Sequence, residues 1–391
     1  MGDDKNALPG VGGEEVLEQW QQDSIKEAFR PIVHLLERLS FDAVDLLKNN
    51  TVTVEEYARS LLGRIKERDS IVKASVYLDE GLTIKQAQAL DQNPHGQPGP
   101  LHRIAVGVKD VINTKDMPTQ FGSPLYQGHQ SGFDSSAVAI LRAAGALIFG
   151  KTTTTEFTVT NSGPDTANPH DPSQTPGGSS CGSAAAVADF QVPISLGAQT
   201  GGSLIRPASQ KTFSPTFDTF GFIASSMQDL QLPADVFGLQ DDEPPASKIA
   251  LEKATVTLIK TPPWHRAGPG TVVAMEKAVT ILEEQGIKIE EVSSPPASFA
   301  LDGFASMRAL ADDLAAKYFV IITPSAEQEL TYSALPQVLH MPVINVPAFV
   351  GSHGMPIGIS LVAGRFHDQH LIGTGKVLGE FCMAGGSGAD V

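Results

Sequence analysis

Apolar residues recur three and four apart from Ala28 to Asp69, first at Ile32, Leu35, Leu36 and Leu39, then at Tyr57, Leu61, Leu62 and Ile65. That spacing predicts helices. Thr53-Val54-Glu55-Glu56 reads as a cap with acids in the first turn, opening a helix that ends near Arg68. Val72 to Leu78 predicts a strand and Leu82 to Leu90 a further helix. In RIAVGVKDVI, Ile104, Val106 and Val108 alternate with Ala105, Gly107 and Lys109, so a strand puts the two sets on opposite faces. Lys109 then shares its face with the smallest residues, and Asp110 points the other way. From the strand alone, Lys109 reads as a strand-end lysine reaching water. Asp134 is expected to cap the run SSAVAILRAA, which ends at Gly145 and is followed by ALIF as a buried strand. Helix-then-strand order predicts an α/β fold with helices over a mixed sheet.

Composition narrows the classes of function. The 391 residues carry a formal charge of −16 and no basic block, which argues against nucleic acid or an anionic membrane as partner. No apolar run reaches the roughly 18 to 20 residues needed to span a bilayer. The first residues lack the basic start and apolar core of a secretory signal. Cys181 and Cys382 are the two cysteines, far apart and in no CxxC arrangement, so neither a disulfide framework nor a zinc site is expected. Ten scattered histidines form no metal-ligand pattern. The expectation is a cytoplasmic protein without metal or cofactor.

Three short motifs invite chemistry and fail on context. GALIFGKT, residues 145–152, matches the P-loop string, yet Ala-Leu-Ile-Phe is an apolar strand and not a phosphate-cradling turn. Gly178-Ser179-Ser180-Cys181-Gly182 matches the nucleophile elbow with Ser180 as nucleophile, but no strand precedes it. Ser70-Ile71-Val72-Lys73 is an S-x-x-K string without its companion motifs.

The stretch Thr175 to Ala208 carries more. Two Gly/Ser turns, Gly177-Gly178-Ser179-Ser180 and Gly201-Gly202-Ser203, bracket a small-residue run and an apolar run. Glycine lets backbone approach a ligand closely, so each turn can present a hydroxyl beside free N–H groups. That equipment suits attack on a carbonyl, although a Gly/Ser connection without chemistry, or a pair of anion-binding nests, fits the same composition.

The stretch resembles the signature of the amidase signature hydrolases, and the likeness extends from about Phe41 to about Leu378. The resemblance implies a Ser-Ser-Lys triad, with Ser203 of GGSLIRP as nucleophile, Ser179 of GGSSCGSAAA as a bridging serine preceded by a cis peptide, and Lys109 of AVGVKD as base. It further implies an oxyanion hole from the N–H groups of Thr200, Gly201, Gly202 and Ser203, with Ser180 and Arg206 in support. Cys181 stands where glycine is common in the family, and Gln199 where many members have Asp. Bringing a lysine from about 10.4 to near 7 costs about 4 kcal/mol, which burial can supply.

Under this resemblance the architecture is one α/β domain with a central mixed twisted sheet covered by helices. Residues 1–27 form a flexible tail and 28–378 the amidase signature domain, with a helical part over 28–95, a core over 96–378 and the organising motif at 175–208. Residues 379–391 form a C-terminal tail. Implied is a hydrolase of a small-molecule carboxylic amide or ester, without cofactor, compatible with a homodimer. Two alternatives stay open: a shortened, catalytically impaired relative, and an amidotransferase subunit. After Ala208 the chain passes from Ser209 almost directly to Ser214-Pro215, where the family has an extra apolar segment, and a second shortening falls between Phe299 and Tyr318.

Overall fold

A computed structural model describes residues 40–92, 99–159, 164–199, 203, 219–242, 254–260, 264–265, 267–293, 312–324, 341–351 and 354–386. The N-terminal tail, the Ile32–Leu39 part of the first helical stretch, the passage at 209–218, and residues 299–311 of the second shortened region lie outside them.

Helix α1 (Ser40–Lys48) leads to α2 (Val54–Val72), β1 (Ser75–Tyr77), α3 (Glu80–Asp91) and β2 (Ala105–Lys109). Then follow α4 (Ser136–Ala143), β3 (Leu147–Thr152), α5 (Cys181–Ala188), β4 (Ile194–Gln199) and β5 (Thr219–Ala224). Thr53 caps α2 as expected: its hydroxyl accepts from the Glu56 N–H at 3.1 Å while Glu56 receives the Thr53 N–H at 2.9 Å. The helix runs past Arg68 to Val72, because Asp69 serves its end. The Asp69 carbonyl takes the N–H of left-handed Lys73, and its carboxylate takes that of Ala74 at 2.6 Å. The expected strand from Val72 therefore shrinks to Ser75–Tyr77.

A second correction concerns α4. Its N-cap is Ser135, whose hydroxyl accepts from the Val138 N–H, and not Asp134. The Asp134 carboxylate is drawn off by the Lys115 N–H at 2.9 Å and by Arg142 at 3.2 Å.

These strands form a mixed sheet in the order β1-β3-β2-β4-β5. Strands β3, β2 and β4 run parallel at its centre, with β1 and β5 antiparallel at the flanks. All three central strands are buried on both faces, the reason they read as apolar or small-residue runs. Their C-terminal ends bring Lys109, Thr152 and Gln199 to one edge, the side on which parallel α/β sheets place their ligands.

The chain continues through α6 (Gln231–Val236), β6 (Thr255–Lys260), α7 (Pro269–Glu284), β7 (Lys288–Ser293), β8 (Val320–Pro324), β9 (Val343–Val350), β10 (Pro356–Val362) and α8 (Asp368–Gly386). Among the described residues the later strands make a second mixed set, β7-β6-β8-β10-β9. The expected mixed-sheet α/β architecture is present. Its core is covered in part by α7 and α8 through Met275, Leu282, Leu371, Leu378 and Cys382. Helix α8 runs on through Gly379 to Gly386, residues expected to be tail. Asp241 caps it, accepting the N–H groups of Gln369 and His370 at 2.8 Å each. No helix among the described residues is long and apolar enough to cross a membrane.

Candidate active site

Lys109 ends β2 with its side chain wholly buried. Its Nζ lies 3.1 Å from Ser179 Oγ and 3.1 Å from the carbonyl of Ala198 on β4. The reading of a strand-end lysine reaching water therefore does not hold. Burial holds the amine well below the ordinary lysine value, with Cys181 opposing the shift.

Ser179 sits in the turn before α5, itself 1% exposed, and the Gly178–Ser179 peptide is cis. Ser180, fully buried, donates to the Ala198 carbonyl at 3.3 Å, so one oxygen on β4 gathers both Lys109 and Ser180. Small side chains let α5 lie this close to the sheet. A Cβ on Gly182 would stand 2.2 Å from Thr153 N and 2.4 Å from the Ala74 carbonyl. Gly182→Ala is expected to cost about 1–3 kcal/mol or more, read as a lowered denaturation midpoint at unchanged slope. A midpoint equal to that of the parent would contradict this packing.

Cys181 is buried and free, with Sγ 3.7 Å from the Thr153 hydroxyl and 3.7 Å from the Ser179 carbonyl. Burial pushes its thiol up, so it is a packing residue of the turn, not a thiolate. Ser203 is described as a half-buried turn residue four positions beyond the end of β4. The structure brings Lys109, Ser179 and Ser180 into one cluster. Thr200, Gly201, Gly202 and Arg206 lie outside the described residues.

A second buried amine escaped the sequence reading. Lys151, on β3 and fully buried, donates to the carbonyls of Ile112 at 2.9 Å and Pro118 at 3.1 Å and to the Thr119 hydroxyl at 2.8 Å. Asp110 Oδ1 lies 3.7 Å away. Asp110 thus faces away from Lys109, as strand alternation requires, and finds Lys151 instead. Burial pulls Lys151 down to about 8 and raises the Asp110 carboxyl. The available signal was the lysine near the end of a second apolar strand, LIFGKT. Among the described residues no cluster of side chains could hold a metal ion.

Parallel strands thus deliver a buried lysine to a serine in a glycine turn on an α/β scaffold. The Amidase family model matches residues 56–213. A glutamyl-tRNA(Gln) amidotransferase subunit from Thermobifida fusca is 32% identical over 312 residues, covering 69% of this chain and 62% of its own length. The native peptide amidase of Stenotrophomonas maltophilia is similar in fold, with a TM-score of 0.72 at 20% identity over 87% of this chain and 96% of that one. A bacterial aryl acylamidase of the amidase signature family matches with a TM-score of 0.74 at 17% identity, over 90% and 99%. Residues 56–213 carry an Amidase domain, and the fold is that of the amidase signature enzymes. The chain spans about three fifths of the length of the curated relatives it matches.

Proposed function

We propose that the protein hydrolyses a small carboxylic amide, or an ester, through an acyl-serine intermediate. The observation that carries this is the wholly buried Lys109 amine, held below its ordinary ionisation range, 3.1 Å from Ser179 Oγ. A neutral amine has two N–H donors and one lone pair. One donor serves the Ala198 carbonyl, and the lone pair can take the Ser179 proton.

In the proposed sequence Ser203 Oγ bonds to the substrate carbonyl carbon. Its proton passes to Ser179 as the Ser179 proton passes to Lys109. The tetrahedral oxyanion is held by N–H groups drawn from Thr200, Gly201, Gly202 and Ser203, a kind of donor whose loss typically costs about 2.7–4 kcal/mol. Collapse breaks the C–N bond, and the proton returned through Ser179 leaves with the amine. Water then repeats the relay on the acyl enzyme. Ser180 anchors the turn on β4, and Arg206 is assigned to fixing the nucleophile loop. Both cysteines are free and buried, in keeping with a reducing, cytoplasmic setting.

The base must be neutral to work. With the Lys109 ionisation lowered, its neutral fraction grows as pH rises through that lowered value. The acid limb of kcat/KM is therefore expected well below 10.5, the ordinary value for a lysine. A limb centred near 10.5 would mean a solvated lysine. The direct test is release of amine from a panel of aryl and alkyl amides by the purified chain and by Ser203→Ala. Equal release from both would sink the assignment.

Two observations favour other readings. The match to the Thermobifida fusca protein runs over 312 positions yet takes up only 69% of the 391 residues here. That relative therefore carries internal residues without counterpart, which favours an impaired enzyme. Its name favours an amidotransferase subunit, and activity that appears only on co-purification with a partner would support that alternative. Release of amine by the isolated chain separates the hydrolase reading from both, and size-exclusion chromatography tests the homodimer.

A further inference from the structure

We propose that Lys151 is a positioning residue for Lys109, its ammonium clamping the turn after β2 so that the Lys109 amine stays within reach of Ser179. This rests on the reading of Lys109 as the base. The carbonyl of Lys109 accepts the N–H groups of Val111 at 2.8 Å and Ile112 at 2.9 Å, forming a tight turn immediately beyond the strand. The Ile112 carbonyl, on the other side of the same residue, accepts from Lys151 Nζ at 2.9 Å. Two hydrogen bonds thus separate the Lys151 ammonium from the backbone of Lys109.

The rest of the clamp closes the loop that this turn begins. Lys151 Nζ also holds Pro118 and Thr119, and Asp110 takes the Gln120 N–H at 3.0 Å and the Gly122 N–H at 3.5 Å. Phe121 N–H returns to the Asp110 carbonyl at 2.9 Å. From the neighbouring strand, Val108 is in register with Lys151 and Lys109 with Thr152, so the clamp lies at the level of the base.

The charged groups facing Lys151 are Asp110, the residue just past β2, and Asp116, in the loop. Asp116 is itself engaged by Arg142 of α4 at 2.6 Å and Gln86 of α3 at 2.8 Å. Lys151 touches no reacting atom in this arrangement. Its effect on the reaction passes through the turn and Lys109.

The test uses the double variant Asp110→Asn with Lys151→Met, which removes both buried charges and leaves an amide to accept the Gln120 N–H. Thr119→Val serves as a milder change that deletes one acceptor of the ammonium. Two readouts are taken: kcat and KM per folded site, and the titration of Lys109 in protein labelled with 13C at lysine Cε, its signal assigned by its loss in Lys109→Ala.

The expected result for the double variant is a fall in kcat of about 10²-fold, the scale of a base displaced by an ångström, with KM little changed. The Lys109 midpoint moves up toward that of an ordinary lysine. Thr119→Val moves both readouts in the same direction by less, and it decides alone if the double variant does not melt cooperatively. Unchanged kcat per folded site with an unchanged Lys109 midpoint would overturn the proposal and leave the clamp a purely structural device. A shifted midpoint in a chain that hydrolyses nothing, wild type included, would uphold the positioning and defeat the hydrolase reading.

Discussion

Lys109→Ala is expected to lower kcat by about 10³- to 10⁶-fold, the range found when one member of a serine relay is removed, while the protein stays folded. The size follows from the absence of a substitute base beside Ser179 among the described residues. Asp110 faces the other way, Lys151 is committed to Ile112, Pro118 and Thr119, and the Cys181 thiol is pushed up by burial. Stability should change little by comparison. Alanine removes a buried amine whose charged form burial already disfavours, and Ala198 keeps the Ser180 hydroxyl as a donor. Ser179→Ala should match Lys109→Ala, and the double variant should be no worse than either, because a relay fails as a unit. A loss of tenfold or less, measured as turnover per folded molecule, would point to another base.

Lys151→Met acts on stability instead. It leaves the Asp110 carboxyl wholly buried without its cation, a situation that typically costs about 3–5 kcal/mol. Its N–H donors from Gln120 and Gly122 remain but do not neutralise the charge. The pH dependence identifies the cause. Asp110 already has its ionisation raised by burial with Lys151 present, and loss of the ammonium raises it further. A carboxyl raised in the folded state supplies its full stability below its unfolded value and loses it as pH rises through the folded value. The deficit of Lys151→Met should therefore shrink on acidification from neutral pH toward the ordinary carboxylate range. Adding Asp110→Asn should recover most of it at neutral pH. Urea melts across that pH interval check both, and a deficit independent of pH would mean a packing defect and not an uncompensated charge.

The sequence exposed what local rules determine. The capping box of Thr53 and Glu56 is decided within four residues, and the alternation of Ala105 to Lys109 decides which way the lysine faces. The pairing of Lys109 with Ser179 spans 70 positions, and only the resemblance of two separate motifs made it legible. Asp134 and Ser135 are equally able caps by type. The choice fell to Ser135 because Arg142 and Lys115 occupy the aspartate, and nothing in the dipeptide says so.

Lys151 falls within the false P-loop string, which has no role for it once nucleotide binding is set aside, because its acceptors lie more than 30 positions away on a loop. Gly379 to Gly386 reads as tail by composition, yet α8 persists there because Leu378 and Cys382 bury themselves against the second sheet. Tertiary burial overrides the weak intrinsic preference of glycine for helix.

The most direct test of the central claim is intact-mass analysis of the purified chain after exposure to a fluorophosphonate probe, run beside Ser203→Ala and Lys109→Ala with a melting curve for each. The proposed relay predicts one adduct on the wild type, mapped to Ser203, absent from Ser203→Ala and slowed by orders of magnitude in Lys109→Ala. An adduct undiminished in Ser203→Ala, or no adduct on a wild-type chain that melts cooperatively, would contradict it.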